Sequence, residues 1–105
     1  MNPPMPSDEL SRSLVVVQAE LDRIEKRDAE LRIALADVEH EGRRCNDALE
    51  RAGWRSGKAE ARGAMLAENR RAIVHDRDRN RALHRQLSER LALLQKRLVE
   101  TGRSG

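Results

Sequence analysis

The stretch Ala48–Gly63, "ALERAGWRSGKAEARG", interrupts a chain that otherwise reads as continuous helix. It holds the only aromatic residue, Trp54, between Gly53 and Gly57 and near the midpoint of the 105 residues. Glycine often ends a helix because it adopts the left-handed backbone conformation at no steric cost. We therefore predict a turn over residues 53–57 that joins two helices.

Apolar residues on both sides of this turn recur at alternating spacings of four and three, the heptad pattern of a coiled coil. In the first half this seam runs Leu10, Leu14, Val17, Leu21, Ile24, Asp28, Leu31, Leu35, Val38, Gly42, Cys45, Leu49. In the second half it runs Ala59, Gly63, Leu66, Arg70, Ile73, Arg77, Asn80, His84, Leu87, Leu91, Leu94, Leu98. Ser7 and Ser56 suit helix N-caps and Gly102 suits a helix end, so we predict helices over 7–52 and 58–101.

Folding one seam onto the other pairs residues whose numbers add to 108, such as Leu14 with Leu94 and Leu49 with Ala59. Because one antiparallel register satisfies every layer, the sequence predicts an all-α, two-helix antiparallel coiled-coil hairpin over residues 7–102. A swapped antiparallel dimer of straight chains uses the same contacts and stays an alternative.

Both ends of the chain are expected to lie outside the hairpin. Residues 1–6 include all three prolines, which lack a backbone donor and disfavour helix in the preceding residue. We expect a disordered N-terminal tail there and a frayed C-terminal tail over residues 103–105.

Composition narrows the class of protein. Charged residues make up 37% and aromatic residues 1%, too few aromatics for an ordinary globular core. No apolar run is long enough to span a membrane, and no secretory signal is visible at the start. A single cysteine, Cys45, fits a reducing compartment, so a cytoplasmic location is expected, and the preference for arginine over lysine suits a bacterial source.

The two halves carry opposite charge. Residues 1–52 contain 8 basic and 12 acidic side chains, whereas residues 53–105 contain 13 and 6. Opposite charge favours pairing the first helix with the second over pairing like helices.

Polar residues interrupt the seam at Asp28, Asn80 and His84. A polar layer lowers stability but opposes slipped registers, which is the structural interpretation. The functional alternative is a loosened region that accepts a partner.

Apolar residues outside the seam concentrate near the two termini: Val15, Val16, Leu83, Leu93 and Val99. A two-stranded coiled coil buries only its seam, so a second apolar set indicates another contact surface. We expect two hairpins to associate there as a four-helix bundle.

Catalysis is not expected. The histidines His40, His75 and His84 lack the spacing of a helical zinc pair, and no phosphate-binding glycine loop is present. A hairpin also lacks a pocket that would hold a nucleophile and a base together. We therefore predict no enzyme activity, metal, cofactor or small-molecule ligand.

Trp54 stands among basic residues, namely Arg55, Lys58 and Arg62. Because tryptophan often dominates protein interfaces, this apex could dock into a larger, acidic protein partner. The alternative is a Trp54 that folds back over Leu49 and Ala52.

An arginine-rich run in the second helix offers a nucleic-acid interface as another interpretation: Arg70, Arg71, Arg77, Arg79, Arg81 and Arg85. Arginine suits phosphate, yet no aromatic side chain is available there to stack on bases. A solvated, partly ion-paired helix face is the structural alternative.

The sequence thus predicts a non-catalytic interaction, scaffold or adaptor protein that associates with itself and docks its apex or its basic helix onto a protein. A nucleic-acid-associated basic coiled coil is the main alternative. In outline the hairpin also resembles the coiled-coil stalk proteins of bacterial flagellar and type III export, which makes an export-stalk component a further alternative.

Overall fold

The computed structural model describes residues 6–53 and 57–104, and it contains two long helices. Helix α1 spans Pro6–Arg51 and helix α2 spans Gly57–Ser104. No strand occurs within the described ranges. The prediction of an all-α, two-helix antiparallel hairpin is confirmed, whereas association into a four-helix bundle stays a prediction.

Helix–helix contacts divide the chain into two compact units. Unit 1 combines Met1–Arg27 with Asn80–Gly105, and unit 2 is Asp28–Arg79. In unit 1 the start of α1 lies beside the end of α2. In unit 2 the end of α1 lies beside the start of α2, so the paired segments are antiparallel in each unit.

Leucine and valine form the core of unit 1. Val17, Leu21 and Leu94 are buried, and four further seam leucines pack against them: Leu10, Leu14, Leu87 and Leu91. Burying such a side chain contributes about 1.5–3 kcal/mol, so these layers hold the unit together.

Smaller side chains form the core of unit 2. Cys45, Leu49 and Leu66 are buried, with Val38 and Ala59 packed against them. The Sγ atom of Cys45 donates to the carbonyl oxygen of Ala59 at 3.0 Å. A Cβ added to Gly63, the predicted partner of Cys45, would lie 3.7 Å from the same Sγ. The predicted register therefore holds in this unit.

Burial follows the predicted seam closely. Every seam residue except Arg70 is buried or half-buried. Arg70 is exposed because its long side chain turns outward, where Nε donates to Glu39 Oε1 at 3.3 Å.

Helix α1 starts one residue earlier than predicted. Pro6 belongs to the helix, so Ser7 lies in the first turn and is not the N-cap. Proline suits this position, because the first helical N–H groups have no partner within the helix and the ring fixes a helical φ angle. Residues 1–5 of the predicted tail lie outside the described residues.

Gly53 ends α1 in the predicted manner. Its φ angle is +65°, and its N–H donates to the carbonyl oxygen of Glu50 at 3.2 Å. Both features belong to the Schellman type of helix end, in which a left-handed residue follows the last turn. The predicted cap Ser56 lies outside the described residues.

Helix α2 is longer than predicted at both ends. It begins at Gly57 and continues through Gly102 to Ser104, although we expected it to end at residue 101. A glycine inside a helix costs about 1 kcal/mol relative to alanine, which does not break the helix by itself. Near this end, Thr101 Oγ1 donates to the carbonyl oxygen of Arg97 at 2.8 Å.

Two glycine substitutions should change stability in opposite directions. Gly42→Ala should raise the free energy of unfolding by about 0.5–1 kcal/mol, because a Cβ there meets nothing within 4 Å and alanine favours helix. Gly53→Ala should lower it by about 1 kcal/mol, because an L side chain is strained at φ +65°. Urea unfolding followed by circular dichroism measures both, and a Gly53→Ala protein as stable as the wild type would contradict this helix end.

Candidate interaction surface

Asn80 is a buried polar residue of unit 1. Its Nδ2 donates to the carbonyl oxygen of Ile24 at 2.9 Å, so a helix carbonyl of α1 is bridged by a side chain of α2. Beside it, His84 Nε2 lies 3.3 Å from Glu25 Oε1. These bonds tie the two helices at one level, as expected of a layer that opposes slippage.

Asp28 has its partners in unit 2. One carboxylate oxygen lies 3.3 Å from Nε of Arg77, and the other lies 3.3 Å from Nε of Arg32. The side chains of Asp28 and Arg77 are 28% and 22% exposed, so this pair is largely shielded from water. The predicted polar layer residues are thus hydrogen-bonded within the fold, which favours their structural interpretation.

Two further ion pairs cross between the helices in unit 2. Glu39 pairs with Arg70, and Glu41 pairs with Arg62. The opposite charge of the two halves indicated such pairing but did not identify the residues. The heptad register could have done so, because Glu39 and Glu41 flank the seam positions of α1.

Ion pairing also accounts for half of the arginine-rich run. Arg70 and Arg77 are paired across the helices, and Arg71 pairs with Glu68 one turn away at 3.2 Å. Arg79, Arg81 and Arg85 are exposed. A phosphate backbone would therefore meet three guanidinium groups that already have a carboxylate neighbour.

The structure describes only part of the predicted apex site. Trp54 and Arg55 lie outside the described residues. Lys58 is exposed, and Arg62 is bonded to Glu41. Docking of the apex onto a partner stays a prediction.

The five apolar residues predicted as an oligomer contact are all at least half exposed: Val15, Val16, Leu83, Leu93 and Val99. All five belong to unit 1. Unit 2 has two exposed large apolar residues among those described, Ile33 and Met65. The exposed apolar surface is therefore concentrated in unit 1.

A shallow groove on one side of unit 1 is lined by residues of both helices: Glu9, Leu10, Ser13, Arg90, Leu94, Arg97, Glu100 and Thr101. Val16 follows Ser13 by three residues, so the two side chains share one face of α1. Leu93 lies three residues after Arg90 and four before Arg97, and shares their face of α2. We call this side the groove face and define it by Glu9, Ser13, Val16, Arg90, Leu93, Arg97 and Glu100.

The other apolar residues of the set divide between two sides of the seam. Leu83 precedes Arg90 by seven residues and so lies on the groove face. Val15 and Val99 share no helical spacing of three, four or seven with the residues that line the groove. They lie across the seam, on what we call the far face. The sequence pattern predicted all five residues as apolar residues outside the seam. It did not predict which side of the seam each one occupies, because that assignment depends on the position of the groove.

Across residues 6–53 and 57–104, no three His, Cys, Asp or Glu side chains are placed to hold a metal ion. In the same ranges, neither helix has a segment long and apolar enough to cross a membrane. Comparisons with family models, curated proteins and solved structures find no match. What distinguishes the surface is the distribution of its exposed apolar and charged side chains.

Removing the Asp28 carboxylate should destabilise the protein more than removing an exposed one. Asp28→Ala should cost about 1–2 kcal/mol, because it leaves Arg77 without its partner in a largely shielded position. Glu68→Ala is the matched control, since the side chains of Glu68 and Arg71 are 71% and 72% exposed and such pairs contribute little. Chemical unfolding compares the two variants, and equal losses would contradict the structural role of Asp28.

Proposed function

We propose that this chain is a non-catalytic interaction protein, a scaffold or adaptor, that associates with itself through unit 1. The observation that carries the proposal is the exposure of five large apolar side chains, 50–65% each, outside the seam and within one unit. Because these side chains are exposed, packing between the two helices of the hairpin does not explain why they are apolar. Exposed apolar residues concentrated in one region are typical of protein–protein contact surfaces.

The thin core of the hairpin supports this proposal. Seven apolar residues are buried among those described, and none of the large side chains is fully buried. Two packed helices can bury only one seam, whereas four helices enclose a core from all sides. Association would therefore add burial that a single hairpin lacks, and binding of the native state raises stability.

The proposed adaptor role requires a further partner in addition to a second copy of this chain. The apex around Trp54 and the exposed basic residues of α2 are the surfaces assigned to it. Phosphate binding is less favoured, because three of the six arginines in the run already pair with carboxylates.

Sedimentation equilibrium tests self-association directly. The wild-type chain should be dimeric at tens of micromolar, the range expected for an interface of modest area. Trp54→Ala should leave this dimer intact, because the apex is not part of unit 1. A wild-type monomer throughout this range would overturn the proposal. Loss of the dimer on adding a short DNA duplex or RNA at low salt would favour the nucleic-acid alternative instead.

A further inference from the structure

The four layers nearest the turn each contain a residue that buries little apolar surface. In the predicted register, glycine, alanine or arginine occupies one side of every one of them: Val38 with Arg70, Gly42 with Leu66, Cys45 with Gly63, and Leu49 with Ala59. The contact of Cys45 Sγ with Ala59 and its closeness to Gly63 show this register in the structure. We call residues 38–51 and 57–70, which contain these layers, the apical segment.

The layers of unit 1 are of a different kind. Three of them join two large apolar side chains: Leu14 with Leu94, Val17 with Leu91, and Leu21 with Leu87. These six residues belong to one core cluster in the structure. Because stability grows with the apolar area that is buried, each of these layers contributes more to it than a layer of the apical segment.

Local helix preference also weakens the apical segment. Gly42 and Gly63 both lie in helix interiors, where glycine is the least favourable residue apart from proline. Close packing does not require them, since a Cβ at Gly42 meets nothing within 4 Å and one at Gly63 comes no closer than 3.7 Å to Cys45 Sγ. Helices shorter than about 12–15 residues are marginal in water without a packing partner, and neither arm of the apical segment is longer than that.

Polar contacts between the two arms add little to their stability. The ion pairs Glu39–Arg70 and Glu41–Arg62 have side chains that are 39–55% exposed, and such pairs contribute little. The thiol of Cys45 donates to a carbonyl oxygen of α2, but a thiol is a weak donor. The apical segment is therefore held together mainly by its small core.

We infer that the apical segment opens by itself: its two arms lose their contacts and their helical structure together, while unit 1 stays paired. Local unfolding of the least stable contiguous part of a domain is a general property of proteins. Because the turn joins the two arms, they separate only where the helices also unfold. The opening ends at Leu35 and Ile73, since this predicted layer again joins two large apolar side chains.

Opening changes what the turn end of the hairpin presents to solvent. Leu49, Leu66 and the thiol of Cys45 are buried in the folded hairpin and become accessible together when the apical segment opens. A buried apolar surface and the one thiol of the chain are thus exposed without dissociation of unit 1. This conformational change does not depend on the proposed self-association.

Labelling of the thiol measures the opening, because Cys45 is the only cysteine of the chain and is 7% exposed. Full-length protein reacts with excess iodoacetamide under native conditions, after far-ultraviolet circular dichroism has shown that it is folded. Labelling should be slower than in the urea-unfolded chain. Its rate should rise with urea less steeply than global unfolding does, because opening exposes only part of the buried surface.

The variants Leu66→Val and Leu94→Val form a matched pair, since the two leucines are 7% and 8% exposed and belong to different units. Leu66→Val should accelerate labelling about 3–10-fold, because it removes a buried methylene from the apical segment. Leu94→Val should change the rate less than ~2-fold although it lowers the urea midpoint of global unfolding, because unit 1 stays intact during the opening.

A third variant should act in the opposite direction. Gly42→Ala should slow labelling about 2–5-fold, because alanine favours the helix and its Cβ meets nothing within 4 Å. Slower labelling in this variant, together with acceleration by Leu66→Val alone, supports local opening.

Two results would overturn the inference. Equal acceleration by Leu66→Val and Leu94→Val would show that the thiol reacts only after global unfolding. Labelling as fast as in the unfolded chain, or a rate that Leu66→Val leaves unchanged, would show that it reacts without any opening. A wild-type chain that sediments as a monomer would contradict the proposed self-association but leave these labelling rates unchanged.

Discussion

The fold depends on burial of a single line of side chains along each helix. A chain without phenylalanine or tyrosine cannot gain stability from a few large buried rings, so it must gain it layer by layer. Each layer has a partner only if residues equally distant from the turn meet. Gly53 ends α1 in a left-handed conformation, and the contact of Cys45 with Ala59 shows the predicted register near this end.

The fold was largely predictable because this constraint is periodic. Alternating spacings of four and three identify the seam, and a single sum of residue numbers identifies the register. The closeness of Cys45 to Gly63 shows that the predicted register is present in unit 2. Helix ends were less predictable. Local preference predicts helix boundaries at Ser7 and before Gly102, but Pro6 and Gly102 both lie within the helices.

The sequence predicted which residues are exposed on the surface, but not the side of the helix pair on which each one lies. Exposure of Val15, Val16 and Leu93 followed from their positions outside the seam. Their division between two faces did not, because it depends on which side chains border an observed groove. The partner of Asn80 was also missed, since a helix carbonyl such as that of Ile24 is not visible as an acceptor in a sequence.

Charge contributes to the contacts between the two helices. Within unit 2, pairs such as Glu39 with Arg70 join the helices and select the antiparallel partner, although exposed pairs add little stability. In unit 1, His84 Nε2 lies 3.3 Å from Glu25 Oε1 across the two helices. The acidic character of α1 and the basic character of α2 thus favour contacts between the two helices.

Disulfide trapping of Leu14→Cys with Leu94→Cys, in a Cys45→Ser background, tests the antiparallel register most directly. The account predicts rapid formation of an intramolecular disulfide that migrates as a compact monomer on a non-reducing gel. The pair Leu14→Cys with Leu87→Cys should stay reduced, because seven residues place it about 10 Å out of level, beyond the reach of a disulfide. A link in the second pair and none in the first would contradict the register and the fold built on it.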